Sequence, residues 1–187
     1  MLPRFLATRS PGPEPPHPMP EPSGPFPLEG QLDRPASYDQ IFRVVRAAVV
    51  HALHRERPGL GLGLARLSPS LGAFWQVTGN LIVMNESLVD AMRAMAKSPR
   101  EFNSFVYVTL AHEYLHALGY LDEREVRSVT AYVTRRAFGA DHPATKMAEG
   151  NLWELYPFLQ YATHGGGESG LRIVPRFDLE TTQSYIR

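Results

Sequence analysis

Ala111-His112-Glu113-Tyr114-Leu115-His116-Ala117-Leu118-Gly119-Tyr120-Leu121-Asp122-Glu123 is the stretch from which the fold of this chain is read. It contains the pattern HExxH. On a helix, His112 and His116 lie one turn apart on one face, so both imidazoles can point at a single ion. Glu113 is rotated by about 100° from His112, which sets its carboxylate beside the ion rather than on it. From there it can take a proton from a water on the metal. The flanking composition adds a second argument. Between Glu101 and Asp122 the only Asp, Glu, Lys or Arg is Glu113. The pattern predicts a helix from about Glu101 to Leu118, ended by Gly119, that is apolar nearly all round and therefore buried. A lone carboxylate there is costly unless compensated, and a divalent cation between two histidines compensates it well. The bland alternative is a His-Glu-His cluster held by hydrogen bonds alone. The ligand types favour zinc, although another first-row metal could use the same donors.

The segment resembles the active-site helix of the zincin superfamily of zinc metallopeptidases. Its longer form, HExxHxxGxxD, is similar to the extended motif of metzincins, with Asp in place of the usual third His, as in snapalysin-type peptidases. The run Asn80-Leu81-Ile82-Val83-Met84-Asn85-Glu86-Ser87-Leu88 resembles the strand-then-helix that precedes HExxH in small intracellular zincins. In those folds the strand borders the cleft and can pair with an extended substrate. HEYLHALGYLDE also looks like a group of archaeal zincin-like proteins. The resemblance covers residues 37–140, tightly at the motif and loosely elsewhere. It implies an α+β, zincin-like fold, with a small mixed or antiparallel sheet and the HExxH helix at the centre. It also implies peptide-bond hydrolysis by a zinc-activated water, with Glu113 as general base.

The third ligand has several candidates. If Gly119 turns the chain with positive φ, Asp122 can swing back to the metal, which gives the favoured set of His112, His116 and Asp122. Against this, Asp122 followed by Glu125 is a capping box for the next helix. The ligand would then come from that helix, as in gluzincins, with Glu123 or Glu125 as donors. His142 and His164 are more distant choices. Met147 could serve as the methionine that follows the third ligand in metzincins, though a single Met is more often core. Tyr156, Tyr161, His142 and His164 could stabilise an oxyanion.

Outward from the motif, Ser37 and Gln40 form a capping box. Ile41, Val44, Val45, Ala48, Val49 and Ala52 then recur at helical spacing until Pro58-Gly59. His51 and His54 near that end read as surface residues. Leu60–Leu67, Ala73–Val77 and Leu81–Asn85 read as strands, the last two turning at Gly79-Asn80. Helices are expected over Ser87–Met95, Glu123–Phe138 and, perturbed by Pro157, Leu152–Tyr161. Leu171–Val174 reads as a strand. The glycines at 59, 61 and 63 lack the Lys-Ser/Thr signature of a phosphate loop. His164-Gly165-Gly166-Gly167 resembles the oxyanion strand of lipase-type hydrolases, but a Gly-x-Ser-x-Gly elbow is missing.

Composition bounds the rest. The chain has 187 residues, 19 basic and 19 acidic, and no cysteine. Neutrality argues against direct nucleic-acid binding, and the absence of cysteine excludes disulfides and thiolate sites. No apolar run is long enough to span a membrane, and the N-terminus does not read as a secretory signal, so a cytoplasmic location is expected. Eleven of the 17 prolines fall in residues 1–36. That segment reads as an extended or disordered Pro-rich tail ahead of a metal-binding domain over 37–187. Two functions follow. One is a zinc-dependent metallopeptidase acting on a peptide or protein substrate. The other is a non-catalytic zincin-like module that docks on a larger assembly through residues 1–36.

Overall fold

A computed structural model describes residues 28–68, 70–162 and 170–178. Ser37 opens the first helix, α1 (Tyr38–Leu53), with a reciprocal cap: its Oγ accepts from the Gln40 N–H, and Gln40 Oε1 accepts from the Ser37 N–H. Ile41, Phe42, Val44, Val45, Ala48 and Val49 form the buried stripe of α1. His54 ends it in the left-handed region, with φ +52°.

Three short strands follow: β1 (Gly61–Ala65), β2 (Ala73–Trp75) and β3 (Leu81–Asn85). Leu62, Leu64, Ile82 and Met84 are buried, so β1 and β3 are interior strands with apolar residues in near-continuous runs. The sheet is mixed. Its order is β2-β3-β1-β4, where β4 is Arg172–Ile173. β1 runs parallel to β3, while β2 and β4 are antiparallel to their neighbours. β3 is therefore flanked on both sides. The edge strands are β2 and β4; β3, which leads into the next helix and which the resemblance would place at the cleft, is interior.

Asn85 joins sheet to helix. Its buried side chain caps α2 (Glu86–Met95) by accepting from the Ser87 N–H, and it donates to the Leu71, Ser68 and Leu67 carbonyls. One residue thus ties the β1–β2 connection to the start of α2.

The motif helix, α3 (Pro99–Ala117), is capped by Ser98 with Pro at its first position, where a missing N–H costs nothing. It sits at the centre of the molecule, in contact with α1, α2, β2, β3, α4 (Glu123–Phe138) and α5 (Pro143–Glu149). Burial on all sides explains its uniformly apolar composition. Among the described residues the molecule is α+β, with six α-helices and a four-stranded mixed sheet.

Two elements differ from the sequence expectation. Pro157 divides the last expected helix into α6 (Leu152–Leu155) and a 3-10 turn over Pro157–Tyr161, because proline removes the N–H and disfavours helical backbone before it. α5 has no counterpart in the periodicity reading, being too short to show a period. Its punctuation is nevertheless present, with His142 as N-cap and Pro143 at the first turn. Residues 28–36 pack against the body despite their tail-like composition. Leu32 is fully buried, and the Asn103 side chain donates to the Leu32 and Arg34 carbonyls. Residues 1–27, the greater part of the Pro-rich segment, lie outside the described residues. No helix among the described residues is long and apolar enough to cross a membrane.

Candidate metal centre

From Asn103 to Leu118 the chain is buried at every position except Thr109, His112 and His116. Spacings of three and four place these on one face of α3, so the buried helix has a single open strip, and both histidines lie in it.

The end of α3 decides what faces that strip. The Tyr120 N–H reaches the Leu115 carbonyl at 3.1 Å and the Gly119 N–H reaches that of His116 at 3.0 Å. This is a Schellman closure, and Gly119 supplies the left-handed residue it requires, with φ +98°. The chain reverses and Asp122 caps α4. One of its oxygens accepts from the Arg124 and Glu125 N–H groups at 3.0 and 2.9 Å. Glu123, the first residue of α4, then projects back to α3. Its carboxylate lies 3.4 Å from His112 Nε2 and 3.1 Å from His116 Nε2. The donor atoms of His112, His116 and Glu123 all fall within 4.8 Å of one another.

The hydrogen bonds of His116 restrict its protonation. Its Nδ1 lies 2.8 Å from the Tyr120 carbonyl oxygen, which can only accept. Nδ1 therefore carries the proton, and in the neutral ring Nε2 presents a lone pair to a carboxylate 3.1 Å away. That arrangement is repulsive unless a positive charge intervenes: a second ring proton or a metal ion. Two donors held by one tetrahedral zinc stand roughly 3.3 Å apart, given bonds of about 2.0–2.2 Å. The observed 3.1 and 3.4 Å bracket that spacing. Two imidazoles and a carboxylate are also a common donor set of catalytic zinc sites. The donor types and these two spacings suit the ion.

Glu113 is buried beside this group and not part of it. Burial pushes its pKa up to about 7, against which the neighbouring His116 and a hydrogen bond from the Trp75 backbone act to lower it. Trp75 belongs to the edge strand β2, so β2 and Glu113 border the same strip. Burial also lowers the pKa of His112, with the Glu123 carboxylate working in the opposite direction. An imidazole kept neutral is the form that binds metal.

The other residues singled out from the sequence fall elsewhere. Gly119 does take positive φ, but Asp122 is turned to its cap and Glu123 approaches the histidines. Glu125 is exposed and outside the donor group. His142 caps α5, with Nδ1 accepting from the Ala144 N–H, and its side chain meets Arg100. Tyr156 donates to Glu101. Arg100 and Glu101 start α3, about 18 Å along the helix from His112. Met147 is core. Tyr161 is 75% exposed. His164 and the glycines after it lie outside the described residues. The backbone groups of Trp75 and Tyr120, which orient Glu113 and His116, carry no signal in residue type.

No protein-family model, curated protein or solved structure matches the chain. The functional reading therefore rests on the residues and their geometry.

Proposed function

We propose that this is a zincin-type, zinc-dependent peptidase in which His112, His116 and Glu123 hold the ion and Glu113 is the general base. The observation that carries the reading is the convergence of the His112, His116 and Glu123 donor atoms within 4.8 Å of one another, with His116 Nδ1 committed to the Tyr120 carbonyl. Zinc in that position supplies a Lewis acid that acidifies water and polarises a scissile carbonyl. Glu113 takes the proton of the attacking water and passes it to the leaving amine. Burial raises its pKa to about 7, and a cation beside it would act in the opposite direction, favouring the carboxylate that accepts a proton. The strip bounded by β2 is where an extended peptide would lie, with the outer edge of β2 offering backbone groups to it. β2 has β3 as its one partner among the described residues.

The test is Glu113→Gln assayed on a mixture of unstructured peptides. Cleavage should fall by about 10²–10⁴-fold, while zinc per chain, read by mass spectrometry, stays unchanged. Undiminished cleavage by the variant would remove Glu113 from the mechanism. Zinc-loaded wild-type protein that cleaves nothing would leave the centre structural, and a docking role on a larger assembly would take the place of catalysis.

A further inference from the structure

The last carbonyls of a helix lack partners within it. In α3 the Schellman closure satisfies those of Leu115 and His116, which leaves Ala117 and Leu118. Two arginines from the segment after α1 supply the donors. Arg57 Nη1 reaches the Ala117 oxygen at 2.7 Å, and Arg55 Nη2 reaches that of Leu118 at 2.8 Å. Both cations also complement the negative end of the helix.

Each guanidinium lies against an aromatic ring: Arg55 is 5.1 Å from the Tyr120 ring centre and Arg57 is 5.2 Å from that of Trp75. Both aromatic residues border the site. The Tyr120 carbonyl accepts from His116 Nδ1, and the strand that carries Trp75 packs against α3, the helix that carries Glu113. Arg57 further binds the Gly79 carbonyl at 3.0 Å and Asn80 Oδ1 at 3.1 Å, and the Trp75 indole donates to the same Gly79 oxygen. The Arg57 N–H also donates to the Tyr114 hydroxyl at 2.8 Å.

We propose that Arg55 and Arg57 are positioning residues of the metal centre: Arg55 orients His116 through Tyr120, and Arg57 holds the β2 edge and Glu113 at their spacing through Trp75. The proposal rests on the peptidase reading for its effect on turnover, and on the hydrogen-bond geometry alone for the orientation of His116. The two arginines therefore have separable effects. Loss of Arg55 weakens the metal; loss of Arg57 leaves the metal and impairs turnover.

The experiment compares Arg55→Ala, Arg57→Ala and, as a control, Arg135→Ala, which removes an exposed ion pair with Glu149 at the far end of α4. Zinc affinity is measured by competition with a chromophoric chelator, peptide cleavage by turnover, and the His116 tautomer by nitrogen NMR of zinc-free protein. Arg55→Ala should raise the zinc Kd about tenfold, as expected for outer-shell partners, and should lose the Nδ1–H tautomer seen in wild type. Arg57→Ala should keep Kd within about twofold while kcat falls about tenfold or more. Arg135→Ala should leave all three unchanged. Where Arg55→Ala does not fold, Arg55→Met keeps the stem on Tyr120 and removes only the donors. Arg55 variants with wild-type Kd and tautomer would overturn the proposal, as would wild-type His116 protonated at Nε2. Protein that takes up no zinc but shows the predicted tautomer change would overturn the peptidase reading and uphold the positioning by Arg55.

Discussion

Asp122 caps α4 while the adjacent Glu123 approaches the two histidines, and substitution separates the roles proposed for them. Asp122→Ala removes the cap of α4 and should cost about 1 kcal/mol of stability in urea denaturation. It should leave zinc affinity within a few-fold. Glu123→Gln keeps the cap and should weaken zinc by an order of magnitude or more, measured in the same chelator competition. The reverse pattern would return Asp122 to the centre. His142 tests a different property. Its burial and the neighbouring Arg100 charge lower its pKa to about 4, with Asp33 acting weakly the other way. The ordinary value is about 6.5. The unfolded chain thus takes up this proton first as pH falls, and the native state does not. Stability from this residue is complete above pH 6.5 and is lost progressively between about 6.5 and 4. His142→Asn, which keeps a capping side chain, should be less sensitive than wild type over that window in chelator-treated protein. Equal pH dependence would remove His142 as the cause.

The elements answer for the site through their ends more than through their length. A methyl group added at Gly119 would meet open space, but the backbone there has φ of +98°, so replacement is opposed by strain and not by a clash. Gly119→Ala should destabilise by about 1–2 kcal/mol in urea denaturation. It should also weaken zinc, because the same turn brings Tyr120 to His116 and Glu123 to both histidines. Most of the elements were legible in their punctuation and period. The Ser37–Gln40 box, the Asp122 cap and Gly119 marked helix ends that the structure reproduces, and α4 spans Glu123–Phe138 as its pattern indicates. Short elements were less legible. α5 is too brief for a 3.6-residue period; the β2–β3 hairpin that Gly79-Asn80 indicates is present, whereas neither β1 nor β3 discloses that the two will pair.

At the scale of the whole molecule, the three candidate ligands come from two helices. Zinc would therefore link α3 to α4 and stabilise the folded chain alone. With free zinc at 100 times Kd, the linkage is worth about 2.7 kcal/mol. For a chain of this size that corresponds to a rise in Tm of about 5–10 °C, at roughly 2–4 °C per kcal/mol. Differential scanning calorimetry with zinc and then with chelator should show the shift and its reversal, and His116→Ala should show neither. A wild-type Tm indifferent to zinc would count against the linkage of the two helices.

Local chemistry in the chain was enough to mark the HExxH helix as buried, to place both histidines on one face and to single out Glu113. Those features depend on residue type and helical period within one segment. The third candidate ligand was not accessible in the same way. Asp122, Glu123 and Glu125 are near neighbours in sequence, and which carboxylate meets His112 and His116 depends on the angle at which α4 leaves the Gly119 turn and packs against α3. The parallel pairing of β1 with β3, the edge position of β2 beside Glu113 and the grip of Arg55 and Arg57 on the end of α3 are likewise outcomes of packing. They join segments 20 to 63 residues apart, and no local pattern encodes such a meeting.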